Sequence, residues 1–375
     1  MKKRWDIFCS VVDNYGDIGV CWRLARQLAA ERGFAVRLWV DDLAPLARLR
    51  PGADAGLAGQ RLDGVDVRRW PEDFPPPGAG DVADVVIEAF ACELPPAYLD
   101  AMAALPRAPV WINLEYLSAE DWVEGCHGGA SPHPRLPLIR HFFFPGFTAA
   151  TGGLLREADY DSRRAAFDRR VFRTALGLPE AAPEELTVSL FGYENAAIAG
   201  MLDAWAGGAT PVRCLVPEGL LLPQVGAYFG AAAEVGSHWR RGSLDVHVLR
   251  FLSQTEYDLL LWACDLNFVR GEDSFVRAQW AGVPFVWHIY PQQEDHHRVK
   301  LDAFLDLWLR GTKAALADPV RAFWHGWERG EAARAWPAFA AVLPALRGHA
   351  AAWSACLRGH ADLATQLVSF AMESR

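Results

Sequence analysis

The sequence predicts an α/β protein of two domains, with a parallel sheet in the first domain and a second sheet in the other. The chain has 375 residues, more than one ordinary hydrophobic core needs, so two domains are expected. Short apolar runs recur along it, separated by segments long enough for a helix or a long loop. This rhythm stops in a charged, arginine-rich stretch and then restarts. We therefore predict domains at 1–156 and 185–343, joined by a linker at 157–184.

The elements of both domains follow from local patterns. The predicted strands are 5–12, 36–40, 65–67, 82–87, 110–114 and 139–144 in the first domain, and 186–191, 212–216, 246–249, 266–269 and 285–289 in the second. Helices are predicted at 20–32, 196–205 and 257–264, and the last 50 residues are also predicted to be helical. Ser253 and Glu256 have the spacing of a capping box, which indicates that the helix at 257–264 is capped at Ser253.

Composition argues against several classes of function. A hydrophobic content of 51% with 22% charged residues indicates a compact globule. The net charge of −9 argues against a nucleic-acid partner, whose phosphates require a basic surface. No stretch approaches the ~20 apolar residues that cross a bilayer, and the N-terminal pattern is that of a first strand rather than a signal peptide. Seven scattered cysteines without a CxxC pair favour reduced thiols in the cytoplasm.

A loop with two carboxylates follows the first predicted strand and comprises Asp13, Asn14, Tyr15, Gly16, Asp17, Ile18 and Gly19. Carboxylates at the C-terminal end of a first strand lie where open α/β sheets bind their ligands. The alternative is that Asp17 caps the following helix and Asp13 ends the strand. The loop is neither a dinucleotide fingerprint, since GxGxxG is absent, nor a Walker motif.

The segment from Arg270 to Pro284 has the pattern of strand, polar loop, short helix and tight turn. Its loop places backbone N–H groups and the Ser274 hydroxyl at a helix N-terminus, which favours an anion such as a diphosphate. Aromatic rings at neighbouring strand ends can stack on a base, and an arginine can bind phosphate through two N–H groups. For any single aromatic residue, core packing is the alternative. The candidate set is Phe191, Tyr193, Phe251, Gln254, Arg270, Glu272, Asp273, Ser274 and Tyr290.

Two clusters with metal-like composition receive little weight. Asp159-Tyr160-Asp161 has DxD spacing, but it lies in the predicted linker before a basic run, so a solvated turn is the favoured interpretation. Glu294-Asp295-His296-His297 has adjacent histidines, which point apart on a helix, and no further ligand follows at a suitable spacing. We therefore predict no metal site.

The two halves together resemble the GT-B class of nucleotide-sugar glycosyltransferases, through the Gly-containing first loop and the loop-Ser-helix-AGVP unit. The segments WDIFCSVVDNYGDIGVCWRLARQLA, VRGEDSFVRAQWAGVPFVWHIYPQQEDHHRVKLDAF, FFFPGFTAATGGLLRE and SLFGYEN are similar to the family of bacterial elongation-factor-P arginine rhamnosyltransferases. The resemblance extends over the whole chain. It implies two Rossmann-like domains facing across a cleft, with a C-terminal helix at 353–375 that packs back on the first domain.

This resemblance also implies an activity. L-rhamnose would pass from dTDP-β-L-rhamnose to a loop arginine of elongation factor P, with inversion and without a metal or other cofactor, and would activate that factor to rescue ribosomes stalled at polyproline. The first domain would bind the acceptor and the second the donor, in the cytoplasm, with no membrane or nucleic acid as partner. The family's catalytic positions fall on Asp13, Asp17 and Glu272, and its donor pocket on the remaining candidates of the second domain.

The residues alone leave other functions open. A nucleotide-sugar epimerase of the same architecture would share the diphosphate loop but would need no protein partner. A non-catalytic nucleotide-binding module would bind the nucleotide and release none from the donor.

Overall fold

The computed structural model describes residues 3–13, 15–78, 80–182, 184–291 and 296–374. The chain divides into two compact units, of which unit 1 comprises Met1–Ala158 with Leu357–Arg375 and unit 2 comprises Asp159–Cys356. Each unit has its own sheet with helices, as predicted. The segment 159–182, which the sequence assigns to a linker, contains two short helices and belongs to unit 2.

The sheet of unit 1 has eight strands within the described residues: β1 (Arg4–Cys9), β2 (Ala35–Val40), β3 (Gly59–Leu62), β4 (Val65–Arg69), β5 (Val85–Ala89), β6 (Val110–Leu114), β7 (Ala130–Pro132) and β8 (Ile139–Phe143). Their order is β3-β4-β2-β1-β5-β6-β8-β7, and only the edge strands β3 and β7 pair antiparallel. The central strands β5 and β6 are buried along their whole length. A parallel sheet covered on both faces requires such continuous apolar runs, which is why the sequence reveals them.

The first helices of unit 1 are α1 (Gly16–Arg32), α2 (Ala44–Leu49), α3 (Pro96–Ala103) and α4 (Trp122–Cys126). Helix α1 ends at Gly33, whose φ of 67° is left-handed and whose N–H bonds the Leu28 carbonyl. Glycine adopts this conformation without a steric penalty, so it stops the helix and directs the chain into β2.

The sheet of unit 2 has six strands in the described part of the chain: β9 (Leu186–Leu190), β10 (Val212–Pro217), β11 (His238–Arg241), β12 (Leu244–Leu249), β13 (Leu266–Arg270) and β14 (Phe285–His288). Their order is β11-β12-β10-β9-β13-β14, and β11 alone among them pairs antiparallel. The carboxyl ends of the other five strands therefore lie along one edge of this sheet.

The helices from Asp159 onward are α5 (Tyr160–Ala165), α6 (Arg169–Ala175), α7 (Ala197–Ala206), α8 (Leu222–Phe229), α9 (Gln254–Ala263), α10 (Asp273–Ala281), α11 (His296–Trp308), α12 (Ala314–Glu328), α13 (Trp336–Arg358) and α14 (Leu363–Glu373). The predicted capping box opens α9: the Ser253 side chain accepts a bond from the Glu256 N–H, and the Glu256 side chain accepts one from the Ser253 N–H. No helix within the described residues is long and apolar enough to cross a membrane.

Helix α14 belongs to unit 1, although about 200 residues separate it from the rest of that unit. The Leu363 N–H donates to the Leu154 carbonyl at 3.0 Å, and the side chain of Gln27 donates to Asp362 at 3.0 Å. Gln27 lies on α1 and is almost fully buried. The C-terminal segment thus supplies one polar partner to α1 and another to the backbone at Leu154.

The edge strands β3, β7 and β11 are absent from the sequence prediction. Strand β3 joins β4 through Asp63 and Gly64, with φ values of 46° and 86°. Two consecutive left-handed residues make the tight turn that suits a hairpin, and Asp-Gly is its usual sequence signal. This signal identifies β3 in retrospect, whereas β7 has three residues and β11 four, mostly exposed, so neither carries a pattern of its own.

Candidate active-site residues

The side chain of Asp17 stabilises the loop between β1 and α1 through hydrogen bonds to its backbone. Its side chain is buried, and its Oδ2 accepts hydrogen bonds from the backbone N–H groups of Val12 and Asp13, both at 2.8 Å. Its Oδ1 accepts a bond from the Tyr116 hydroxyl at 3.1 Å. The N-cap of α1 is Tyr15, without a side-chain cap bond, so Asp17 does not serve as the helix cap. It holds the loop instead.

Asp13 packs closely over Gly16 in the same loop. The Gly16 N–H donates to the Asp13 carbonyl at 2.5 Å, and a Cβ placed on Gly16 would lie 2.5 Å from Asp13 Oδ2. Any larger residue at position 16 would therefore displace the Asp13 carboxylate. Gly19 lies one turn into α1, where its N–H bonds the Tyr15 carbonyl. The predicted loop residue Asn14 lies outside the described residues.

Three residues outside the predicted set, Asp41, Phe90 and Tyr116, also lie at this edge of the unit 1 sheet. Asp41 follows β2 and accepts bonds from the Val11 N–H at 2.9 Å and the Ser10 hydroxyl at 2.5 Å. Tyr116 follows β6, and its ring stacks on Phe90, which follows β5, with ring centroids 4.4 Å apart. Each of them follows the end of a parallel strand, and this was the signal in the sequence that would have revealed them.

In unit 2, Arg270 is the last residue of β13, and its guanidinium lies over two aromatic rings. Its Cζ lies 4.7 Å from the ring centroid of Phe191 and 4.9 Å from that of Tyr193. Tyr193 also contacts the ring of Tyr290 edge-on at 5.4 Å. Four of the predicted donor-site residues therefore form one cluster at the carboxyl ends of β9, β13 and β14. An almost fully buried guanidinium beside aromatic faces offers positive charge to an anion in a partly desolvated setting.

Ser274 fixes the turn between β13 and α10. Its hydroxyl accepts a bond from the Arg270 N–H at 2.9 Å and donates to the Arg270 carbonyl. Between them, Gly271 has a left-handed φ of 56°, and its carbonyl accepts a bond from the Trp287 indole at 2.7 Å. In this conformation the Ser274 proton is directed to the main chain, so the hydroxyl orients the loop and would have to rotate to reach a ligand.

Gln254 and Asp273 belong to a polar network behind this turn. Asp273 Oδ2 accepts bonds from the Gln254 amide and from Arg277 Nε, both at 3.0 Å. Arg277 also donates to Asp258 at 2.8 Å and is itself buried. The network ties α9 to α10 and positions the Asp273 carboxylate.

The remaining predicted residues also follow strand ends of unit 2. Glu272 is the half-buried N-cap residue of α10 and makes no side-chain cap bond. Phe251 follows β12 and is half-buried, and its backbone N–H donates a hydrogen bond to the Glu218 carboxylate at 3.3 Å. Tyr290 is 41% exposed beyond β14. The structure thus brings the set to one edge of the sheet, and the role of each residue stays a prediction.

His288, at the end of β14, is a further residue that sequence reasoning missed. Its Nδ1 accepts a bond from the Tyr193 N–H at 3.2 Å, and the two rings are in edge contact. Burial disfavours the charged imidazolium and the charge of Arg270 adds to this, so the pKa of His288 is lowered to about 4. His288 is therefore neutral near pH 7 and can hold the backbone of Tyr193.

Neither the Asp159–Asp161 triplet nor the 294–297 cluster arranges its side chains as metal ligands within the described residues. Tyr160 of the DxD triplet is buried, and its hydroxyl accepts a bond from the Trp262 indole at 2.7 Å. Asp159 pairs with Arg163 at 3.1 Å. In the second cluster, Glu294 and Asp295 lie outside the described residues, and His297 bonds Glu328 at 2.8 Å.

A different group, His238, Asp245 and His247, brings its ligand atoms within 4.8 Å of one another on the hairpin of β11 and β12. The two imidazole rings stack at 4.3 Å with 16° between their planes. Nearly parallel rings direct their nitrogen lone pairs along separate planes, so they would have to rotate to share one ion. Each ring instead bonds one oxygen of Asp245, at 2.5 and 3.1 Å.

Comparison with known proteins gives consistent matches over the full length of the chain. The model of a family described as Elongation-Factor P (EF-P) rhamnosyltransferase EarP matches residues 5–372. The protein-arginine rhamnosyltransferase of Pseudomonas putida is 52% identical over 377 residues, which covers 99% of each chain.

Solved structures agree with these matches. A structure of EarP, described as the structural basis for EarP-mediated arginine glycosylation of translation elongation factor EF-P, matches with a TM-score of 0.71 and 38% identity over all of both chains. The calicheamicin glycosyltransferase CalG4 matches with a TM-score of 0.54 at 14% identity, also over all of both chains, and this likeness concerns the fold alone. The predicted GT-B class is confirmed.

Proposed function

This chain belongs to the EarP family of elongation-factor P rhamnosyltransferases, and we propose on this basis that it transfers L-rhamnose from dTDP-β-L-rhamnose to one loop arginine of elongation factor P. The transfer inverts the configuration at the sugar C1 and needs no metal. In this proposal unit 1 binds the acceptor and unit 2 the donor, in the cytoplasm where the acceptor works.

The observation that carries the donor half of the proposal is the cluster around Arg270. Its guanidinium lies over Phe191 and Tyr193, next to the N-terminus of the nine-residue helix α10. A diphosphate can be bound there by the cation and by the backbone N–H groups of the first turn of α10. The aromatic rings offer faces on which thymine can stack. Glu272 and Asp273 then bind sugar or ribose hydroxyls.

The acceptor half is supported by the acidic first loop. An arginine guanidinium is cationic, with a pKa above ~12, and is a poor nucleophile until it loses a proton. Asp17 is the proposed base, and Asp13 holds the guanidinium beside it. A carboxylate is too weak a base to remove this proton in advance, so proton transfer accompanies bond formation. The net charge of −9 suits a basic acceptor loop.

The reaction balances in one concerted displacement. A bond forms between a guanidinium nitrogen and C1 of rhamnose, while the bond from C1 to the diphosphate oxygen breaks and dTDP leaves with its electron pair. The proton passes to Oδ1 of Asp17, because Oδ2 already accepts two backbone N–H bonds. Arg270 and the first turn of α10 stabilise the charge that develops on the departing diphosphate.

Intact mass spectrometry tests this proposal directly. Purified elongation factor P, incubated with the protein and dTDP-β-L-rhamnose, should gain one deoxyhexose, and its variant with lysine at the acceptor arginine should gain none. The one-bond carbon–proton coupling constant at the sugar C1 in the product reports the configuration. An unmodified acceptor, together with sugar isomers formed from the donor alone, would instead establish the epimerase alternative.

A further inference from the structure

A stacked pair of aromatic rings lies beside Asp17 at the edge of the unit 1 sheet. Phe90 and Tyr116 follow the adjacent strands β5 and β6, and their rings are 4.4 Å apart with 17° between their planes. The Tyr116 hydroxyl reaches Asp17 Oδ1 at 3.1 Å. Both rings are half-buried and thus keep part of their surface exposed. A flat aromatic surface therefore adjoins the oxygen to which the proton transfer is assigned.

The backbone that carries Phe90 is held in an unusual conformation. Phe90, Ala91 and Glu93 have φ values of 57°, 53° and 55°, and they are three of the five non-glycine residues with positive φ in the described part of the chain. Only about a few per cent of non-glycine residues adopt this region, and a bulky side chain there is a genuine outlier. Such strain persists only where surrounding contacts enforce it, and it concentrates at functional sites.

Buried polar groups enforce this conformation. The Phe90 N–H donates to the Leu114 carbonyl at 2.7 Å, and the Ala91 N–H donates to the Asn113 side chain at 3.2 Å. The Glu93 N–H donates to the buried carboxyl of Glu88 at 3.2 Å. Contacts from β5 and β6 thus fix the backbone of Phe90, whose ring stacks on Tyr116.

We propose that the Phe90–Tyr116 pair is the binding surface for the acceptor guanidinium. A guanidinium is planar and cationic, stacks on aromatic faces and donates N–H bonds in its own plane. Stacked on this pair, it directs an N–H towards Oδ1 of Asp17. The inference rests on the proposed function, because it places the acceptor side chain of that reaction. It assigns substrate contacts to two residues outside the predicted site.

The two residues have separable effects. Loss of the Phe90 ring should raise the KM for elongation factor P by about 2- to 30-fold, the range of a cation–π contact, with little change in kcat. Tyr116→Phe keeps the ring and removes only the hydroxyl that orients Asp17. It should therefore lower kcat and leave the acceptor KM close to that of the parent. Neither change should alter the affinity for dTDP.

Steady-state transfer kinetics with full-length elongation factor P, read by intact mass, test the inference on the parent, Phe90→Leu, Phe90→Gly and Tyr116→Phe. Glycine tolerates the positive φ of position 90, so Phe90→Gly keeps the test valid if the leucine variant misfolds. Phe34→Leu is the matched control. That ring is also half-buried and stacked, on Trp5 at 5.3 Å, but it lies at the amino ends of β1 and β2.

The outcomes distinguish a failure of the inference from a failure of the proposed function. A raised acceptor KM in the Phe90 variants, with unchanged dTDP affinity and an unaffected Phe34→Leu control, supports the inference. Transfer by the parent together with a parental acceptor KM in folded Phe90→Leu or Phe90→Gly overturns the inference and leaves the proposed function intact. A parent that transfers nothing overturns the proposed function, and the inference with it.

Discussion

Asp17→Asn separates proton acceptance from the structural role of Asp17. The carboxylate makes three contacts, to the N–H groups of Val12 and Asp13 and to the Tyr116 hydroxyl. An asparagine can direct its oxygen to the two N–H groups and its NH₂ to the tyrosine oxygen, because a hydroxyl accepts as well as donates. The variant therefore keeps all three contacts and loses the negative charge and the basic oxygen.

The expected costs differ sharply between rate and stability. Loss of a general base commonly lowers the rate by about 10²–10⁴-fold. A hydrogen bond to a charged group contributes about 1.5–3 kcal/mol against about 0.5–1.5 for a neutral one, so weakening all three costs roughly 3–4 kcal/mol in stability. Asp17→Ala would instead leave the N–H groups of Val12 and Asp13 without the carboxylate, at about 1–3 kcal/mol each. The asparagine variant is therefore the informative one.

Single-turnover transfer, with enzyme in excess over elongation factor P and followed by intact mass, measures the rate. Calorimetry with dTDP should show donor binding near the parental value. Asp41→Asn is the matched control, since Asp41 also holds this loop through Val11 and Ser10 but has no assigned proton, and its rate should fall less than about tenfold. Parental transfer by Asp17→Asn would refute the assignment and make Asp13 the next candidate base.

Three further outcomes are expected. Phe251→Ala should weaken dTDP binding by about 1–3 kcal/mol in calorimetry if its ring stacks on the base, and an unchanged affinity would remove Phe251 from the pocket. Transfer should survive exhaustive chelation, whereas activity lost in EDTA and restored by magnesium or manganese would contradict the metal-free mechanism. The pKa of His288 is about 4 in the folded protein and ~6.5 in the unfolded chain. Its contribution to the free energy of unfolding is therefore complete above pH ~6.5. Below that pH it falls by up to about 1.4 kcal/mol per pH unit until the pH approaches 4. The fall in Tm between pH 7 and pH 5 should accordingly be smaller in His288→Gln, and an identical fall would contradict this.

The sequence predicts most strands that are buried on both faces, because the residues of such strands form continuous apolar runs. Strands β6 and β9 begin where the pattern places them, and β6 also ends there. The short edge strands β7 and β11 contribute few apolar side chains, and their pairing depends on the neighbouring strand rather than on their own residues. Helix α9 is predictable because its capping box is local.

The same distinction applies to the site. Arg270, Phe191 and Tyr193 are predictable as a group, since parallel strand ends meet at one edge. The contact between Tyr116 and Asp17 is not, because it spans 99 residues and a position after a strand does not show which side chain the hydroxyl bonds. The direction of the Ser274 proton also escapes sequence analysis, because the hydroxyl can bond either a ligand or the main chain of Arg270.

The return of α14 to unit 1 affects how the protein is made. Residues 159–356 are synthesised between the two parts of this unit, which at roughly 5–20 residues per second takes about 10–40 s. During this interval Gln27 on the emerging first half has no Asp362 to bond, and the Leu154 carbonyl lacks the Leu363 N–H. The last residue of unit 2 is therefore joined to the chain before the last residues of unit 1, although unit 2 begins later in the sequence. A released chain truncated after residue 356 should therefore resist protease over 159–356 more than over 1–158.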